Sequence, residues 1–354
     1  MISNKTKREA KIDDTSLNYT LIVLASIILL IVLTAIYLIA FSLSAEENGG
    51  TLGDGGDNPT VEIYDYPFRL DITVAIPDYD EFSATMVAKN DVTEGLYSEF
   101  AALVDMTTGK MIATKKAQKQ LYPASMTKVM TLIVVYENLK NESSLGDPIK
   151  ITQKHVDAKI RDQLSGDLYQ KDTLTVEDMI YALMLKSDGI AALGLAEYIA
   201  GSEEAFVELM NQKADDMGLK NTHFTNCTGI HNEDHYTTAQ EMAVIMMYAM
   251  QNPYCANVMS AKSYRTVTDV YADGITFFHS MLVTKFENEL PHLNFKSVDV
   301  TAGKTGWTGD ESGRCLVSYA VGDNGHKYVL VTAGAPNKNE EALDHEYIYN
   351  LYAK

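Results

Sequence analysis

Ser125-Met126-Thr127-Lys128 heads a run, Val129 to Leu139, in which Val129, Met130, Leu132, Ile133, Val134, Val135 and Leu139 leave little polar surface. A helix that is apolar on every side belongs in the middle of a core, so the chain should fold around this segment, which offers burial to the lysine at its head. Residues three apart share one helical face. Burial disfavours an ammonium and lowers its pKa, and a nearby second cation lowers it further; only a lysine so perturbed can take a proton from a serine. Pro123 sits just ahead of the helix, where proline is tolerated, and a helix N-terminus favours negative charge beside Ser125. Alone, the pattern is weak, since Ser-x-x-Lys arises by chance about once in a chain of this length, as a capping serine with a solvent-facing lysine.

Two more segments change its weight. Lys304-Thr305-Gly306 lies in Val300-Thr-Ala-Gly-Lys-Thr-Gly-Trp307, ahead of the strand-like run Arg314-Cys-Leu-Val-Ser-Tyr-Ala-Val321. Between the two motifs, the helical pattern from Tyr181 to Ala192 is broken around Ser187. Ser-x-x-Lys, then a serine-led triplet, then Lys-Thr-Gly is the order found in penicillin-recognising serine enzymes. From roughly Glu99 to Ala335 the chain resembles the low-molecular-mass penicillin-binding proteins, specifically the serine D-alanyl-D-alanine carboxypeptidases. Leu103 to Ile112 looks like that family's opening hairpin. Gly218-Leu-Lys-Asn-Thr-His-Phe-Thr-Asn-Cys-Thr-Gly229, with His235-Tyr-Thr-Thr-Ala239, resembles its loop before a late helix.

The resemblance implies acyl transfer without a cofactor or metal. Ser125 would be the nucleophile and Lys128 its base, with Ser187 relaying a proton to the leaving amine. Lys304 would lower the pKa of Lys128 by like charge and attract the substrate's terminal carboxylate, which Thr305 would also bind. Gly306 would let the substrate strand approach closely, and the backbone N–H groups of Ser125 and Trp307 would hold the oxyanion. The implied substrate is a peptidoglycan pentapeptide ending in D-Ala-D-Ala, with β-lactam antibiotics as covalent inhibitors. One position departs from the family pattern. The middle motif usually reads Ser-x-Asn, whereas here it is Ser187-Asp188-Gly189, without the asparagine that orients the lysine and binds the substrate's peptide carbonyl. Slow turnover, with Asp188 facing away and Gly189→Asn raising the rate, is one expectation. A weak or inactive protein of the same fold that binds wall peptide or protein partners is the alternative.

The N-terminus carries the second strong signal. Leu21 to Leu43 is an apolar run without charge, long enough to cross a bilayer. Lys5, Lys7, Arg8 and Lys11 precede it, and Glu46, Glu47, Asp54 and Asp57 follow. The positive-inside rule therefore leaves residues 1–20 as a cytoplasmic tail and everything after the helix outside. A cleaved signal peptide is the rival, because Ser42 and Ser44 are small residues at cleavage positions, but the run exceeds the signal core of about 7–15 residues. Residues 44–60, rich in Gly, Asp, Glu and Asn, read as a flexible linker. Residues 61–98 include a strand-like alternation from Tyr64 to Ile76, either a juxtamembrane strand or an extended tether. Residues 99–354 would form the peptidase domain.

Within that domain the pattern gives strands at both ends and helices between. The expected helices are Thr175 to Leu185, Ile190 to Ala200, Glu203 to Met217, Thr238 to Met250 and Glu340 to Tyr352. Late strands are expected over Ser263 to Val270, Ile275 to Leu282, Arg314 to Val321 and Lys327 to Ala333. The fold class is therefore α/β in the broad sense (α+β). An antiparallel sheet built from both termini is flanked by helices with an inserted helical lobe. By resemblance it is β-lactamase/transpeptidase-like, behind an N-terminal transmembrane helix.

Other chemistries fit poorly. A formal net charge of −19 over 354 residues argues against a nucleic-acid partner. Cys227, Cys255 and Cys315 make no disulfide framework; one pair and buried free thiols both remain open. His231 and His235 are four apart, but the polar residues between them suggest a loop, and no zinc motif accompanies them. His235 is expected to order that loop instead. A Ser-His-Asp hydrolase would need a Gly-x-Ser-x-Gly elbow, which is missing.

Overall fold

Successive side chains of a strand point to opposite faces, and the alternation in the long C-terminal strands feeds two separate cores. The computed structural model describes residues 90–91, 95–169 and 172–353, all within one body. The strands are β1 (Asn90–Asp91), β2 (Phe100–Asp105), β3 (Lys110–Lys115), β4 (Gln120–Leu121), β5 (Pro148–Lys150), β6 (Thr173–Thr175), β7 (Thr237–Thr238), β8 (Ser263–Thr266), β9 (Ile275–Phe278), β10 (Val298–Gly306), β11 (Arg314–Gly322) and β12 (Lys327–Ala335). The helices are α1 (Lys128–Glu137), α2 (Gln153–Arg161), α3 (Val176–Leu185), α4 (Gly189–Ala200), α5 (Glu203–Asp216), α6 (Ala239–Gln251), α7 (Pro253–Ser260) and α8 (Glu340–Tyr352).

Six strands form the main sheet in the order β1-β3-β2-β12-β11-β10. All neighbours are antiparallel except β1, which runs parallel to β3. The first hairpin thus sits beside the last one, and both ends of the domain build one sheet, as expected. Val329, Val331 and Ala333 of β12 face the core around α1 and α6, while Tyr328 and Leu330 face Ile348 and Tyr349 of α8. Helix α1 is buried from Lys128 through Val135. At the far end of the sheet, β10 pairs with β11 alone among the described strands.

The inserted helices begin where their caps dictate. Thr175 and Asp178 form a reciprocal capping box at α3. Gly201, left-handed at φ +81°, ends α4. Two expectations need correction. Ile275 to Leu282 is not one strand, because His279 Nδ1 accepts the N–H groups of Met281 and Leu282 and turns the chain into a π-helix, Ser280–Glu289. Strands β8 and β9 form a separate hairpin instead of joining the main sheet. All three cysteines are buried and unpaired. The apolar run Leu21 to Leu43 lies outside the described residues, as does nearly all of 61–92. No helix among the described residues is long and apolar enough to cross a membrane.

Candidate active site

The chain enters α1 through a single 3-10 turn, Ala124–Thr127. Ser125 sits in that turn and Lys128 opens the α-helix. Ala124 is left-handed at φ +48° although it is not glycine. Such residues cost about 1–3 kcal/mol and persist only where neighbours hold them. Here the neighbours are backbone. A Cβ on Gly229 would lie 2.0 Å from Ala124 O, and one on Gly306 would lie 2.9 Å from Pro123 O and 3.1 Å from Ser125 N. Glycine at 306 therefore lets β10 close on the turn that carries Ser125; the space its Cβ would need belongs to that turn, not to a substrate strand.

Lys128 Nζ donates to Ser125 Oγ at 3.1 Å and to Thr228 O at 2.6 Å. Asn226 Oδ1 shapes the loop that presents this carbonyl by accepting the N–H groups of Thr228, Gly229 and Ile230. Burial pushes Lys128 down to about 8, against smaller opposing effects of Cys227 and Asp188. Lys304, fully buried on β10, donates to Ser187 Oγ at 2.9 Å and to Thr305 O at 2.8 Å. Burial first, and then the charge of Lys128, hold it well below the ordinary lysine value. The expected like-charge effect thus falls on Lys304, and Lys128 is lowered by burial.

Ser187 lies between α3 and α4, left-handed at φ +56°. Asp188 is turned away from the lysines. Its carboxylate caps α4 by accepting the Ala191 N–H at 3.0 Å and holds the Leu168 N–H at 3.0 Å. Gly189 does not leave a hole. A Cβ there would come within 2.6 Å of Leu164 Cβ, so Leu164 already fills the space of an asparagine. The expectation that Gly189→Asn alone raises the rate is therefore replaced by a steric conflict.

Ser125, Ser187, Thr305, Gly306 and Trp307 line one groove of about 250 Å³. A larger cavity of about 580 Å³ opens past Trp307 and contains neither lysine nor Ser125. Arg314 at the start of β11 also lines the groove, with its guanidinium stacked 4.2 Å from the Trp307 ring. Sequence reading passed over Arg314, although a cation opening the strand after Lys-Thr-Gly is a visible signal. It also passed over Thr228, whose contribution is a backbone carbonyl with no side-chain signature. His235 does order its loop. Its Nδ1 accepts the Thr225 N–H at 3.1 Å, which leaves Nε2 to donate to Thr127 Oγ1 at 2.8 Å. Burial, and to a lesser degree the neighbouring His223, His231 and Lys128, lowers His235 to about 3, so the ring is neutral. No group of three or more possible metal ligands occurs among the described residues.

A family model described as D-alanyl-D-alanine carboxypeptidase matches residues 85–337. The chain belongs to that family. Among its relatives, the Bacillus subtilis D-alanyl-D-alanine carboxypeptidase DacF is 32% identical over 247 residues, which covers 68% of this chain and 59% of the relative. A D-alanyl-D-alanine carboxypeptidase of Streptomyces sp. strain K15 is 32% identical over 232 residues, covering 64% and 76%. The solved Streptomyces K15 DD-transpeptidase superposes with a TM-score of 0.63 at 26% identity, over 73% of this chain and 98% of that one. The carboxypeptidase family's mixed fold of antiparallel sheet and helices is therefore present here, although the chain spans less than two thirds of several of its curated relatives.

Proposed function

We propose that the protein is a membrane-anchored serine D-alanyl-D-alanine carboxypeptidase that trims peptidoglycan stem peptides through an acyl-enzyme on Ser125. The observation that carries this reading is the pair of serine–lysine contacts, Ser125–Lys128 and Ser187–Lys304, facing one groove. Lys128, buried and stripped of water, takes the Ser125 proton as the oxygen attacks the carbonyl of the penultimate D-alanine. The negative oxygen of the tetrahedral intermediate is met by the N–H groups of Ser125 and Trp307, which the missing Cβ of Gly306 allows to converge. Ser187 passes a proton to the departing amine, D-alanine leaves, and water attacks the ester to regenerate Ser125.

Thr305, Lys304 and Arg314 hold the substrate's terminal carboxylate. A carboxylate beside Lys304 favours its charged form. The proton that Lys128 carries in the free protein is thereby drawn to Lys304, which leaves Lys128 neutral when a base is needed. The substrate helps to prepare its own catalyst.

Fluorescent penicillin should label the protein at one site, and Ser125→Ala should abolish the label; a label that survives would refute the nucleophile. The tether is read from residues 21–43 and their flanking charges. Protease added to wall-stripped cells should digest the domain and spare a cytoplasmic marker. A mature chain beginning near Ala45 would show instead that the segment is removed. The alternative, a binding protein with little turnover, draws on Gly189 alone. It would be favoured by a protein that binds wall peptide, releases no D-alanine and takes no penicillin label.

A further inference from the structure

The middle motif has lost its third side chain, yet Ser187 is held in place. Residue 187 is left-handed at φ +56°, a conformation a serine keeps only where its surroundings hold it. Part of that hold comes from Ser165, beside the bond from the Asp188 N–H to Ala182 O. The Ser165 hydroxyl donates to Ser187 O at 2.7 Å, and its carbonyl accepts the Gly189 N–H at 2.9 Å. These two bonds hold the peptide planes on either side of residue 188, the first of them at the carbonyl of Ser187 itself. Leu164, next to Ser165, occupies the volume a side chain at 189 would need.

The loop that carries Ser165 is itself tied down. Asp188 holds the Leu168 N–H, and Lys159 of α2 donates to Gly166 O at 2.7 Å and Leu168 O at 3.0 Å. Loop and motif form one hydrogen-bonded unit, and Ser165 lines the groove beside Ser125 and Ser187. We propose that Ser165 is a positioning residue for Ser187: from a neighbouring loop it holds the Ser187 backbone so that the Ser187 hydroxyl is set against Lys304.

This rests on the acyl-transfer reading, in which Ser187 delivers a proton to the leaving amine. The role therefore has a signature that simple destabilisation lacks. An amide cannot leave without that proton, whereas a thiolate can. The test compares single-turnover release of the leaving group from diacetyl-L-Lys-D-Ala-D-Ala and from a thioester with the same acyl part. Ser165→Ala should slow D-alanine release about tenfold, since the relay is displaced and not removed, and should change thiol release by no more than about twofold. Ser165→Thr, which keeps the hydroxyl, should restore the amide rate. Equal losses on both substrates, or no loss on the amide, would overturn the role of Ser165 while leaving the acyl-enzyme intact. A wild type that cleaves neither substrate and takes no penicillin would bring down the acyl-transfer reading and this role with it.

Discussion

At the scale of single residues, the site turns on where one proton resides. Burial lowers Lys128 to about 8, and burial and then the charge of Lys128 hold Lys304 well below the ordinary value, so the last proton kept by the free pair sits chiefly on Lys128. In the proposed mechanism the reactive complex also carries one, on Lys304 against the substrate carboxylate. The proton count is the same, which fixes the sign of the pH dependence. The second-order rate constant for acylation by penicillin should fall above about pH 8, as the free pair loses that proton. Stopped-flow acylation across pH 6 to 9.5 tests it. A rate that instead climbs through pH 8 would mean that Lys304 need not be charged and that Arg314 alone holds the carboxylate. Both lysines could be read from their motifs. The loop carbonyl that grips Lys128 and the hydroxyl that braces Ser187 could not, because they act through backbone and through contacts distant in sequence.

At the scale of elements, legibility followed burial. Helix α3, with its capping box and apolar body, and α8, with a clean start and stop, were placed to within a residue or so. Helix α2 was missed because only His155 and Ala158 on it are buried, which leaves almost no periodicity to detect. Helix α7 was missed despite a usable signal, Asn252 as N-cap with Pro253 at the first helical position. Strand β10 was not recognised as a strand, since its Ala-Gly-Lys-Thr-Gly stretch has neither β-branched richness nor alternation. The loop from Leu164 to Leu168 was the costliest omission, because it decides what Gly189 means. Gly189→Asn alone should lose about 1–3 kcal/mol of stability from overpacking against Leu164 and should not release D-alanine faster. In a Leu164→Gly background, which removes the Cβ that the new side chain would meet, adding Gly189→Asn should cost no further stability and D-alanine release should exceed that of the Leu164→Gly parent, by up to about tenfold if the new amide makes one substrate hydrogen bond. Thermal melts and D-alanine release on the three variants check both halves. A single Gly189→Asn variant that is faster and no less stable would show that Leu164 yields freely.

At the scale of the whole molecule, three buried neutral histidines make the fold sensitive to acid. His345 joins the sheet to α8 through Ser318 Oγ at 2.9 Å and Thr332 Oγ1 at 3.0 Å, and burial lowers it to about 3. His235 and His279 are lowered in the same way, to about 3 and about 4. In the unfolded chain a histidine protonates below about 6.5, so between there and the folded value the unfolded state binds more protons and stability falls as pH falls. At pH 5 each such histidine costs roughly 2 kcal/mol, nearly independent of how far below 4 its folded value lies. Buried Asp188 and Asp344 are raised and act in the opposite direction, so the contribution is best isolated by difference. The stability advantage of wild type over His345→Gln should shrink by about 2 kcal/mol between pH 7.5 and pH 5 in urea titrations. A constant difference would show that His345 titrates normally.

The two lysine contacts also bear on how the molecule comes together. Lys128 meets the carbonyl of Thr228, 100 residues on, and Lys304 meets Ser187, 117 residues back. No fragment of the chain contains a working site, and no early local structure can imitate one. Contacts of such separation must wait for the loops between them to close, so they form late. A collapsed chain with all its helices would still present an ordinary, solvated serine. On the proposed mechanism, reactivity at Ser125 is therefore a sharper witness of completed refolding than any spectrum of secondary structure, and a covalent label taken up during refolding would count finished molecules alone.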